Sequence, residues 1–135
     1  MKTNLYCPYT IELLFDFFNE FNIKTNEKYT QQIKDKVLDT ILEMLNNKVI
    51  FVSEKNKNGF VIWDEPKEII VERINNMWSE NTNFQDFYNM VWFGYENWYI
   101  EALKKEGFEQ EKIVWTNFIE KDIGDLQKWI EANKP

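Results

Sequence analysis

A chain of 135 residues, 44% hydrophobic and 29% charged, supports one hydrophobic core and excludes intrinsic disorder for most of its length. Its formal net charge of −7 disfavours DNA or RNA as a direct ligand, because phosphates are repelled, and favours a basic protein partner. A single cysteine, Cys7, excludes an intrachain disulfide, and no stretch approaches the roughly 18 uninterrupted apolar residues of a membrane span. The opening residues Met1 to Tyr6, and an apolar run then broken by Glu12 and Asp16, do not read as a signal peptide, so the bacterial cytosol is the expected compartment.

In chain order, the first expected element is a helix from Thr10 to about Phe21. Pro8 and Thr10 suit its start, and Ile11, Leu14, Phe15, Phe18 and Phe21 form an apolar stripe. A second helix is expected from Thr30 to Asn46, with Ile33, Val37, Leu38, Ile41, Leu42 and Leu45 at helical spacing and a left-handed stop at Asn46-Asn47. Val49 to Val52 reads as a strand. Lys55 to Gly59 reads as a hairpin turn, because it contains Asn58-Gly59, and Phe60 to Trp63 reads as the returning strand.

Asp64 is the expected N-cap of a third helix that buries Ile70, Ile74, Met77 and Trp78. A helical run from Phe84 to Phe93 is broken by Gly94, and another helix follows from Tyr95 to Glu106, closed by Gly107. Lys112 to Phe118 alternates as a third strand, and Asp122 caps a last helix presenting Ile123, Leu126, Trp129 and Ile130. The sum is an α+β fold in a single domain, 1–135: a small antiparallel sheet of about three strands, a hairpin plus one later strand, with four to six packed helices.

Histidine is wholly absent, which removes the commonest general base and metal ligand at neutral pH. The chain has no phosphate loop and no nucleophile elbow, and Cys7 has no histidine to activate it, so it reads as a packed thiol. Neither catalytic residues nor a metal or other cofactor are expected. The acid pairs Asp64-Glu65 and Asp122-Asp125 leave room for a carboxylate-only hydrolase, but both stand at expected helix starts, where acids are favoured structurally.

The least ordinary stretch is residues 84–99, in which eight of sixteen side chains are aromatic. One helical face cannot bury them all, and acids are interleaved with them. Rings supply contact area and carboxylates pair with Arg or Lys, so the stretch reads either as core or as core plus a protein interface. The candidate partner-binding residues are Asp86, Trp92, Glu96, Trp98, Tyr99 and Glu101. The charge supports this placement: residues 68–135 carry 13 acids and 7 bases, against 10 and 9 in residues 1–67. The hairpin from Lys55 to Gly59 is the alternative location.

The succession Ile41-Leu42-Glu43-Met44-Leu45, Val49-Ile50-Phe51-Val52, Gly59 to Trp63, Ile69 to Trp78, Trp92-Phe93 and Val114-Trp115 resembles small acidic bacterial immunity proteins, which neutralise polymorphic or contact-dependent growth inhibition toxins. The chain departs from that pattern in having Ser79 after Trp78 and no Cys-Pro pair before Val114-Trp115. The resemblance covers about residues 41–115. It implies an α+β fold and a non-catalytic role: binding a cognate toxin with a basic surface, such as a nuclease. An adaptor or structural interaction subunit is the alternative. The oligomeric state is not indicated.

Overall fold

The computed structural model describes residues 1–24 and 30–135, without the Phe84 side chain. Its sheet consists of β1 (Ile50–Asn56), β2 (Gly59–Ile62) and β3 (Trp92–Tyr95), antiparallel and in the order β2-β1-β3. Register pairs Ser53 with Ile62 on one side of β1 and with Trp92 on the other. The hairpin is where the Asn-Gly signal put it. The Asn56 side chain accepts the Asn58 N–H at 2.8 Å, and Gly59 takes a φ of 112°, open to glycine and strained for other residues.

The described residues form seven α-helices around this sheet: α1 (Leu14–Glu20), α2 (Gln31–Asn46), α3 (Lys67–Met77), α4 (Phe84–Met90), α5 (Asn97–Lys105), α6 (Trp115–Phe118) and α7 (Leu126–Asn133). A 3-10 turn at Thr3–Tyr6 and a π-helical turn at Ile119–Ile123 complete the secondary structure. The fold is α+β, with one more helix than the sequence suggested.

Several element boundaries differ from the sequence reading, each for a local reason. α1 starts at Leu14, not Thr10, because Leu13 bridges to Trp92 at the sheet edge and the Asp16 carboxylate accepts the N–H groups of Glu12 and Leu13, both at 2.8 Å. Thr30 does cap α2, accepting the Ile33 N–H at 3.2 Å, but the left-handed residue after that helix is Lys48 (φ 58°) and not Asn46 or Asn47. Pro66, not Asp64, stands at the N-cap of α3, and Met77 on that helix is exposed. Asp125 caps α7 by accepting the Lys128 N–H at 3.1 Å, while Asp122 belongs to the π-helical turn.

The larger correction concerns the third strand. Residues 112–118 form no strand; Trp115 to Phe118 is α6. Trp115 and Phe118, three apart, turn to the same side and close on Phe108, with centroids 5.1 Å from it in each case. The third strand lies inside the aromatic stretch. The helix expected over Phe84 to Phe93 stops at Met90, Val91 is extended, and Phe93 and Tyr95 alternate inward with Trp92 and Gly94 on the other face.

One face of the sheet, carrying Ile50, Val52, Trp63, Phe93 and Tyr95, is buried in the core. Phe17 of α1 meets Phe93 edge-on at 5.3 Å. Phe18, Trp78 and Phe87 form a mutually edge-to-face trio at 5.0–5.5 Å, joining α1, the end of α3 and α4. Each such pair adds about 1 kcal/mol beyond its buried area. Polar groups anchor the remainder. Lys34 of α2 is buried and donates to the Trp78 carbonyl at 2.7 Å, and Asn47 and Gln127 exchange amide hydrogen bonds at 3.1 and 2.8 Å, tying α7 to the end of α2.

Candidate functional site

The opposite face of the sheet is open towards β2, where Phe60 and Ile62 are exposed, whereas Ser53 is buried and Phe51 and Trp92 are partly buried. Pairing places Phe51 beside Gly94, Ser53 beside Trp92 and Ile62, and Lys55 beside Phe60, so these side chains share one surface. Phe60 and Trp92 meet diagonally across β1, edge-on at 5.4 Å. On β2, Phe60 and Ile62 are each 57% exposed on this face, while Val61, 44% exposed, points to the other side of the strand. Large apolar side chains left side by side in solvent are uncommon on monomeric domains.

At one end this face runs into an open cleft of about 820 Å³, whose walls include Tyr9, Glu12, Phe51, Ile62, Glu96 and Trp98. The charged residues lining it are acids. Glu96 follows β3 and opens α5, and its N–H donates to Val49 O at 2.8 Å. Partial burial raises the Glu96 carboxyl above its ordinary value, the response expected of a carboxylate losing solvent. The Trp98 indole is fixed by donating Nε1–H to the Lys48 carbonyl.

Tyr9 is held at a φ of 69°, a left-handed conformation uncommon for a bulky residue, and the residue is 68% exposed where it lines the cleft. The segment that carries it is pinned from below. Tyr95 donates its hydroxyl proton to Leu5 O at 2.6 Å and accepts the Ile11 N–H at 3.2 Å, and Tyr99 donates to Tyr6 O. Tyr6 donates to Glu43 at 2.7 Å. Burial holds all three phenols well above their ordinary pKa. Aromatic faces with carboxylates beside them suit a guanidinium or ammonium group.

The six candidate residues are divided by the fold. Glu96 and Trp98 line the cleft, and Trp92 lies on the open face. Tyr99 is corrected to core. α5 turns Tyr99 and Leu103, four apart, inward together, and the Tyr99 hydroxyl is used on the N-terminal segment. Asp86 accepts the Asn83 N–H at 2.9 Å as part of the α4 cap. Glu101 lies on the exposed side of α5, 3.6 Å from Lys104, and lines a shallow hollow with Trp98 rather than the cleft.

Tyr9, Phe51, Phe60 and Ile62 were missed as site residues, although the strand pattern around the hairpin carried a signal. Alternation puts Phe60 and Ile62 on one face of a short strand. Glu65 is engaged by Arg73, and Cys7 is half-buried, its thiol pushed up by burial. Among the described residues, no three His, Cys, Asp or Glu side chains gather in a metal-binding arrangement, and no helix is long and apolar enough to cross a membrane. No family model, curated protein or solved structure matches the chain.

Proposed function

We propose that this protein is a non-catalytic binding protein that neutralises a basic partner, in the manner of an immunity protein bound to its cognate bacterial toxin. The observation that carries the reading is the open sheet face of Phe51, Phe60, Ile62 and Trp92 running into a cleft whose charged walls are Glu12 and Glu96. Exposed rings at the centre of a contact supply most of its affinity, and surrounding acids speed encounter with a positively charged surface. The net charge of −7 adds long-range attraction. A nuclease is a fitting target, since its active-site surface is built to receive phosphate.

The test starts with the gene immediately upstream, which on this reading encodes a toxin with a basic C-terminal domain. Co-expression should restore growth to cells producing that domain, and the two purified proteins should co-elute. Association should slow as salt rises and in the double charge reversal Glu12→Lys/Glu96→Lys. An upstream gene of unrelated kind, or growth that is not restored, would overturn the reading.

A further inference from the structure

The outer edge of β2 has a defined hydrogen-bonding state. Trp63 N–H donates to Val52 O at 2.9 Å, which makes Val52 and Trp63 a hydrogen-bonded pair. Antiparallel pairs alternate, so Val61 opposite Glu54 and Gly59 opposite Asn56 also direct their amides at β1. The N–H and C=O groups of Phe60 and Ile62 therefore point away from the sheet, on the same two residues whose side chains are exposed on the open face.

Natural sheets blunt a free edge with charge, proline, a bulge or a covering segment. The far edge of this sheet is covered: Phe93 N–H donates to Glu12 O at 2.8 Å, and Leu13 bridges to Trp92. The β2 edge, Gly59-Phe60-Val61-Ile62, carries neither charge nor proline.

We propose that the β2 edge receives an extended basic segment of the partner as a fourth strand, with arginine or lysine residues that flank this strand in the partner entering the adjoining cleft that holds Glu96. This rests on the reading of the protein as a partner-binding protein and adds the mode and chemistry of recognition. Main-chain bonds to Phe60 and Ile62 supply affinity, and alternate side chains of the added strand lie beside the exposed rings. Ile62, Phe51 and Glu96 together line two adjoining grooves, so a segment continuing past a strand beside Ile62 meets a continuous surface that leads to Glu96. Charge selects the occupant. The first groove is lined by Glu12 and Glu96, and the second by Asp64 and Glu96, with Glu65 already paired to Arg73, against Lys48; Lys55 stands beside Phe60 as a base on the open face. A second copy of the chain would bring another net −7 to the same edge and be repelled.

The test selects peptides from a random displayed library on the full chain, then measures their binding to wild type, Ile62→Lys and Glu96→Gln. Thermal melts check that the variants fold, and Phe60→Lys replaces Ile62→Lys if the latter does not. Selected peptides should carry Arg or Lys and slow hydrogen exchange at the Phe60 and Ile62 amides. They should lose at least tenfold in affinity to Ile62→Lys and several-fold to Glu96→Gln. Failure to select a binder, selection of acidic peptides, or indifference to both substitutions would overturn the proposal. So would a dimer of the free protein that Ile62→Lys dissociates, which would make a second copy the occupant. If basic peptides behave as expected but the upstream toxin is not neutralised, the immunity reading fails alone.

Discussion

Phe51 lies across Gly94 on the open face of the sheet, so closely that a β carbon at position 94 would collide with the Phe51 ring. The ring fills the space left by the missing side chain and becomes part of the floor of the cleft.

Gly94→Ala should therefore force Phe51 outward and cost about 1 kcal/mol, the scale of one cross-strand pair. In a Phe51→Ala background the same substitution should cost nothing, because the obstructing ring is gone. Urea unfolding of the two single variants and the double variant measures this coupling. Strictly additive losses would mean that Phe51 and Gly94 are not linked.

Tyr9 should show a conflict between stability and binding. Asparagine tolerates the left-handed conformation better than tyrosine, so Tyr9→Asn should leave the melting temperature unchanged or raise it by a few degrees. The same variant should bind the partner more weakly, since an exposed residue lining the cleft loses its ring. A clear drop in melting temperature would mean that the ring stabilises the free protein.

The three buried phenols should make the fold sensitive to alkali. In the native state Tyr6, Tyr95 and Tyr99 are held neutral, with pKa values raised by burial, whereas in the unfolded chain they ionise near pH 10. Their contribution is fully present below about pH 10 and is lost as pH rises from there towards the folded pKa values. Each phenol contributes a slope of about 1.4 kcal/mol per pH unit in that range. Tyr95→Phe should cost about 1–3 kcal/mol at pH 8, because Leu5 O and Ile11 N–H lose their partner, and should reduce the alkaline slope. Denaturant midpoints at pH 8 and pH 11 test both effects; an unchanged slope would count against the phenols as its source.

Lys34 closes the C-terminal end of α3 from within the core. Its ammonium donates to the Trp78 carbonyl, where the helix dipole is negative. Lys34→Ala should cost about 2 kcal/mol, as for a hydrogen bond to a charged group. It should also loosen the Phe18–Trp78–Phe87 trio, visible as a change in near-ultraviolet circular dichroism. A loss below about 0.5 kcal/mol would reduce Lys34 to a surface-like role.

Local sequence determined those parts of the protein whose energetics are local. The apolar stripe of α2, the Thr30 cap, the Asn-Gly hairpin and the stop at Gly107 each follow from residues within a few positions of one another. Composition likewise set the acidic charge and the surplus of aromatic rings. Only tertiary structure decided which segment would supply the third strand. Trp92 to Tyr95 is extended because β1 offers it hydrogen bonds and Phe51 occupies the space over Gly94; neither partner is a sequence neighbour. Residues 112–118 alternate just as well, but they coil because Trp115 and Phe118 bury together against Phe108. The division of the aromatic stretch followed from the same choice. Tyr99 went to the core, Trp92 and Trp98 ended partly buried, and the hairpin residues Phe60 and Ile62 were left exposed on the outer face of the sheet. Burial is a property of what arrives from elsewhere in the chain, so the periodicity of a segment proposes a face and the assembled fold decides whether anything covers it.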